Sequence, residues 1–239
     1  MMTPLLVGAC AVAAIGAANY APQAEQIVST RRLRDRVKRR RMVCLTFDDG
    51  PGPTLTPRVL EVLREEGVRA TFYLLGMRLP GAPEMPARLT AAGHEVAAHS
   101  MRHRHAWKCT PWAAYEDVVA GYDALREHLG PAARFRPPYG KLNAGSWLAL
   151  RRRRAPVDWW TIDSGDTWPT PPSPESIAER VVRDGGGVVL LHDFDRQGGG
   201  REERAAFVLE TTRLVIRRSK DAGLTLGAMS DLHRSTNTA

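Results

Sequence analysis

Two adjacent carboxylates stand in the run Thr46-Phe47-Asp48-Asp49-Gly50-Pro51. Neighbouring carboxylates repel each other and resist burial. They are tolerated where one binds a cation and the other serves as a base. The following Gly50-Pro51-Gly52-Pro53 makes a tight turn that lets the backbone approach a ligand. Taken alone, the motif also reads as a plain Asp-Asp-Gly turn. A second run is His99-Ser100-Met101-Arg102-His103. Two histidines at i, i+4 project from one face of a helical turn, a spacing suited to a shared metal. Imidazole suits Zn, Cu, Ni or Fe. Two histidines and one carboxylate form a three-ligand set that leaves positions open for water and substrate. His94 and His105 are spare candidates. The chemistry is that of a metal-dependent hydrolase.

Three further motifs follow. Arg136-Pro137-Pro138-Tyr139-Gly140 is stiffened by its prolines, which fix Arg136 and the backbone of Tyr139. A charged Arg beside a strand end needs an anion, and Asp48 is available. Asp163-Ser164-Gly165-Asp166-Thr167-Trp168 reads as a polar turn. Leu190-Leu191-His192-Asp193 closes a very apolar run. A neighbouring carboxylate could hold His192 charged and ready to donate a proton.

These motifs need a scaffold. Strands are predicted at Met42–Phe47, Ala70–Leu75, Glu95–Ala98, Ala133–Arg136, Val157–Ile162, Gly187–Leu191 and Leu224–Ala228. Helices are predicted at Pro57–Glu66 (with Thr56 as N-cap), Glu84–Ala92, Pro111–Leu129, Asn143–Arg152, Pro174–Arg183 and Arg201–Ser219. Alternation of the two argues for a parallel α/β domain, a barrel or an open sheet. In either, chemistry collects where strands end, and all five motifs lie at strand ends.

The net charge of +8 is concentrated. Arg31 to Arg41 carries a net +7, so the rest of the chain is near neutral. That run reads as a solvated linker able to touch a membrane or an anionic polymer; no nucleic-acid partner is expected. Leu5 to Ala18 is an apolar run, short for a spanning helix and of signal-peptide length. A membrane-associated, envelope or secreted location is favoured over a cytoplasmic one. The three cysteines give no disulfide framework, and Cys44 reads as a buried small hydrophobe. The division expected is 1–41 apolar segment plus basic linker, 42–232 a single catalytic domain, and 233–239 a polar tail.

The order of Thr-Phe-Asp-Asp-Gly, His-Ser-x-x-His, Arg-Pro-Pro-Tyr, Asp-x-x-Asp and Leu-x-His resembles the polysaccharide deacetylases of the NodB homology type, carbohydrate esterase family four. The resemblance runs from about Met42 to Leu232. It implies a distorted (β/α) barrel of about seven parallel strands. It implies hydrolysis of N-acetyl groups on an amino-sugar glycan, such as a chitooligosaccharide or peptidoglycan. By position it makes Asp49, His99 and His103 the metal ligands, with Zn the first choice and Co, Ni, Fe or Mn alternatives. It makes Asp48 the base, Arg136 its orienting partner and the Tyr139 backbone N–H an oxyanion donor. It makes His192 the acid and Asp166 the carboxylate that tunes it. Leu190 would line the acetyl pocket, with Tyr139 and Trp168 on the substrate side.

One departure bears on these roles. The family pattern usually has Trp directly after the fourth motif's Asp, whereas Thr167 intervenes here. Asp163 therefore competes with Asp166 for its role. The alternatives are an O-acetyl esterase or small-amide hydrolase on the same fold, and a non-catalytic glycan-binding module.

Overall fold

The computed structural model describes Gly16, residues 19–130 and residues 132–234. Strand β1 (Met42–Asp48) is central, and all seven of its residues are buried. Such a run, apolar on both faces, suits a parallel strand covered on both sides. Its parallel neighbours are β2 (Thr71–Leu74) and β5 (Gly187–His192). Beyond them lie β3 (Glu95–Ala98) and β4 (Ile162–Asp163). A short β6 (Thr225–Leu226) pairs with the start of β1. Single bridges Ala98–Phe135 and Phe135–Val157 carry the wall from β3 round to the segment that ends in β4. The expected distorted barrel is thereby formed.

Three predicted strands are reduced, Leu224–Ala228 among them, of which only β6 remains. Ala133–Arg136 is a single bridge at Phe135, and Val157–Ile162 gives one bridge at Val157 before β4. The Trp159 carbonyl accepts from Arg136 Nη2 at 3.4 Å. Pro137 and Pro138 have no N–H to offer a ladder.

The helices are α1 (Ala24–Arg40), α2 (Leu55–Glu65), α3 (Met85–Ala91), α4 (Pro111–Leu125), α5 (Ala144–Arg153), α6 (Pro174–Arg183), α7 (Arg201–Asp221) and α8 (Met229–His233). Thr110, Asn143 and Ser173 cap α4, α5 and α6 with side-chain oxygens, as residues of these types prefer to do. Thr56 is not the N-cap of α2. It lies inside the first turn, where its hydroxyl donates to Asp193 Oδ2 at 2.6 Å.

The basic run is not a solvated linker. Arg31 to Arg40 is the second half of α1, which packs on β1, β5 and α8 with Leu33 and Val37 buried. Arg40 Nη1 donates to the Asp231 carbonyl at 2.9 Å, and Arg36 Nη1 meets His233 Nδ1 at 2.5 Å. Residue 233, placed in the tail by sequence, therefore belongs to the packed domain. The apolar run 5–18, Gly16 apart, and the tail from 235 onward lie outside the described residues. Among the described residues no helix is long and apolar enough to cross a membrane.

A buried anchor and a solvated linker differ in what truncation costs. Leu33→Ala is expected to destabilise the protein by roughly 2–5 kcal/mol in urea unfolding, the range for a buried leucine. A change below about 0.5 kcal/mol is what a free linker would give.

Candidate active site

The register of β1 and β5 sets the first pair of groups. Thr46 lies opposite Leu190, and Asp48 opposite His192. Residues in parallel register point to the same side, and side chains alternate along each strand. Thr46, Asp48, Leu190 and His192 therefore share the barrel's inner face. Tyr73 of β2 is also in register with Asp48.

Arg136 lies inside this face with no exposed surface. Its Nη1 donates to Asp48 Oδ1 at 2.7 Å and to Thr46 Oγ1 at 2.8 Å. Its guanidinium sits 4.0 Å above the Tyr73 ring centroid. Tyr73 in turn donates its hydroxyl to the buried Asp158 at 2.7 Å. Burial would favour a neutral guanidine, but the charge of Asp48 outweighs it and raises the Arg136 pKa. Asp48 itself is buried and aimed by this contact.

Asp49, His99 and His103 converge, with one donor atom from each lying within 4.8 Å of the others. Asp49 Oδ1 is 3.1 Å from His103 Nε2 and 3.4 Å from His99 Nε2. His99 Nδ1 is 2.7 Å from the Arg136 carbonyl, which can only accept, so this nitrogen carries the proton. In the neutral ring the Nε2 lone pair then faces the Asp49 carboxylate. Burial lowers the His103 pKa to about 4, so its ring is neutral near pH 7. Asp49 Oδ1 is buried without a hydrogen-bond donor among the described residues. A carboxylate facing two imidazole lone pairs fits a divalent cation.

The two histidines do not lie on a helical turn. Residues 99–103 form a loop with Ser100 and His103 at positive φ (75° and 55°). Asp117 of α4 shapes it: Oδ1 accepts from Arg102 N at 2.8 Å and Oδ2 from Arg104 N at 3.3 Å. A Cβ on Gly121 would lie 2.4 Å from Ser100 C, so α4 approaches the loop backbone closely. The spare histidines stand apart from the cation cluster. His94 Nδ1 accepts from Ala70 N at 3.2 Å, and the His105 ring lies 4.9 Å from that of Tyr139.

His192 is gripped twice by one carboxylate. Asp166 Oδ1 is 2.8 Å from His192 Nδ1, and Oδ2 accepts from His192 N at 2.8 Å. Asp163 accepts from Gly165 N instead. The inserted Thr167 thus leaves Asp166, not Asp163, in contact with the imidazole. Burial pushes the His192 pKa down, but Asp166, then Asp49 and Asp48, raise it to about 10. A divalent cation nearby would act against that rise. Leu190 is buried, while Trp168 and Tyr139 are exposed at the rim.

Three supporting residues carry little signal in sequence. Asp117 looks like an ordinary helix acid, and Tyr73 like a core aromatic. Asp193 stands out in sequence only as the neighbour of His192. It is fully buried, and a Cβ on Gly50 would meet its Oδ1 at 2.3 Å. Burial raises its pKa to about 7.

The pattern of the polysaccharide deacetylase family matches residues 35–155. The chain belongs to the polysaccharide deacetylase family. It is 35% identical over 157 residues to a chitooligosaccharide deacetylase of Bradyrhizobium, spanning 64% of this chain and 71% of that one. It is 34% identical over 157 residues to a peptidoglycan-N-acetylglucosamine deacetylase of Bacillus cereus, spanning 64% and 73%. A family 4 carbohydrate esterase from Streptomyces lividans, solved with acetate, superposes with a TM-score of 0.66 at 28% identity. That match covers 78% of this chain and 91% of the esterase. As a member of the family the protein is an enzyme, a glycan deacetylase.

Asp166→Asn should bring the His192 midpoint down from about 10 towards the ordinary imidazole value near ~6.5, read by NMR of the ring in metal-free protein. The sign follows from a raised folded-state pKa. The pair's contribution to stability is complete below about 6.5 and is lost as pH rises towards about 10. An unmoved midpoint would show that some other group sets the charge on His192.

Proposed function

We propose that this deacetylase removes N-acetyl groups from an N-acetylglucosamine-containing glycan, a chitooligosaccharide or peptidoglycan, and that it does so with a divalent cation. One observation carries the reading. Asp48 and His192 stand in register on adjacent strands, beside the Asp49–His99–His103 cluster. A base, an acid and a cation site share one strand-end rim. The relatives named for chitooligosaccharide and peptidoglycan deacetylation support the substrate class.

When bound by Asp49, His99 and His103, a cation supplies Lewis acidity to the acetyl carbonyl and lowers the pKa of water at the site. Zinc is our first choice, with cobalt, nickel, iron or manganese as alternatives. Asp48 takes the proton of the attacking water, and Arg136 keeps Asp48 ionised and directed. The Tyr139 N–H donates to the developing oxyanion, a contribution of roughly 3–4 kcal/mol for a well-placed donor. His192, held as imidazolium by Asp166, gives its proton to the departing nitrogen. Without that proton the amine is a very poor leaving group. Acetate and a free amino sugar result. Leu190 borders the acetyl methyl, while Trp168 and Tyr139 flank the sugar.

The location we favour is the cell envelope. Arg31, Arg32, Arg34, Lys38, Arg39 and Arg41 remain exposed along and just beyond α1, available to an anionic lipid or wall polymer.

Acetate release should be measured on chitin oligomers, peptidoglycan and acetylated xylan, with and without added zinc. N-acetyl substrates are expected to respond; release from xylan alone would replace this reading with an O-acetyl esterase. Asp48→Asn should lower kcat by about 10²–10⁴, the usual range for a general base, while bound metal stays unchanged by mass spectrometry. His103→Ala should lose the metal itself. Full activity after chelation has stripped the cation would sink the metal-assisted mechanism.

A further inference from the structure

The loop that carries Tyr139 is held from outside the family-matched region. Tyr139 has φ +56°, a left-handed conformation that a side chain disfavours. Gly140 follows at φ +62°, hemmed in by Trp160 and Gln26. Within the loop, Gly140 N donates to Pro137 O at 2.9 Å and Lys141 N to Pro138 O at 3.0 Å. Two backbone groups beyond these turns, Gly140 O and Leu142 N, face outward. One side chain takes both: Gln23 Nε2 donates to Gly140 O at 2.9 Å, and Leu142 N donates to Gln23 Oε1 at 2.9 Å. A primary amide is the side-chain group that can donate and accept in one plane, as a neighbouring strand would.

Gln23 does not act in isolation. Gln26 Oε1 accepts from Gln23 Nε2, which orients the amide. Asn19 Oδ1 accepts from Ala144 N at 3.2 Å, on the far side of the same loop. The Tyr20 ring meets Trp107 edge-on at 5.5 Å, and Trp107 Nε1 donates to Leu142 O at 3.0 Å. The whole segment precedes residue 35, where the family match begins.

We propose that Gln23 is a positioning residue of the active site, and that residues 19–26 form a clamp fixing the Tyr139 loop in its left-handed conformation. The inference rests on the reading of the Tyr139 N–H as an oxyanion donor. Displacement of such a donor by an ångström is enough to slow the chemical step, because the donor must meet the oxyanion and not the ground-state carbonyl. Loss of the clamp therefore acts on kcat more than on KM.

The test uses full-length protein carrying Q23A or Q23E. For Q23A, kcat should fall about tenfold or more with KM within about twofold. Backbone amides of residues 139–143 should exchange hydrogen faster than in wild type, with the barrel strands unchanged. Q23E places a carboxylate beside the Gly140 carbonyl and fails at about pH 8; as pH falls through about 4.3 towards about 4 it protonates, regains a donor and an acceptor, and its activity relative to wild type at the same pH should recover. Wild-type kcat and unchanged loop exchange in Q23A would overturn the proposal. So would a Q23E ratio flat with pH, which decides the matter even if Q23A proves unstable. If wild type releases no acetate from any glycan, the functional reading fails, and the exchange experiment still decides whether Gln23 holds the loop.

Discussion

The site is organised around one buried ion pair. Arg136 is a fully enclosed cation in the middle of a barrel wall, a position it can hold only if its charge and most of its protons are met. Asp48 and Thr46 meet it from β1, the Trp159 carbonyl from the segment before β4, and the Tyr73 ring from β2. The same pattern recurs one layer below. Asp158 accepts from Tyr73 at 2.7 Å and pairs with Arg134 at 2.6 Å, while Glu95 lies 3.4 Å from Arg134. Positive and negative groups alternate along this stack, Asp48 with Arg136 and Glu95 and Asp158 with Arg134. Removing one member of such a pair leaves the other uncompensated, typically at a cost of about 3–5 kcal/mol. A carboxylate at Asp48 that is buried and fixed in direction follows from this stack.

A second constraint is conformational. Asp49, Ser100, His103 and Tyr139 all lie at positive φ without being glycine. Each costs on the order of 1 kcal/mol, and such residues persist only where their surroundings fix them. The structure supplies a separate restraint for each loop. Asp193, tied to Thr56, fills the space against Gly50 and donates its N–H to the Asp48 carbonyl at 3.2 Å. Asp117 holds the backbone of residues 101–104. Gln23 holds residues 140 and 142. Asp49, His99, His103 and Tyr139 thus sit on braced loops, while Asp48 and His192 end the strands β1 and β5.

This division explains what sequence could and could not reveal. Asp48, Asp49, His99, His103, Arg136 and His192 were legible because chemistry demands their residue types at strand ends, and strand ends were marked by apolar runs and turn residues. Their partners obey no such rule. Asp117 is one acid on a helix, Tyr73 one aromatic among core residues, and Gln23 one amide in a segment with no periodic signal. Their roles arise from contacts across 15, 85 and 119 residues. The choice between Asp163 and Asp166 was also invisible, since one inserted Thr167 shifts spacing by an amount that only the turn geometry absorbs. For α1 the signal existed but was masked. Leu33 and Val37 are an i, i+4 apolar pair, yet they lie among eight cations that hide the spacing.

Helix α1 then joins the two ends of the molecule. A helix rises about 1.5 Å per residue, so its 17 residues form a rod roughly 26 Å long. Near its C-terminus, Val37 and Arg40 fix it to the barrel and to α8. Near its N-terminus, Gln23 reaches the loop of Tyr139. A rod fixed at its base delivers its other end to one place and one rotation, since a single residue more or fewer turns that end by about 100°. The positions of Leu33, Val37 and Arg40 therefore determine where Gln23 can reach. The basic face of the same helix looks away from Leu33 and Val37. Whatever that face touches bears on the rod, and through it on the loop at the active site.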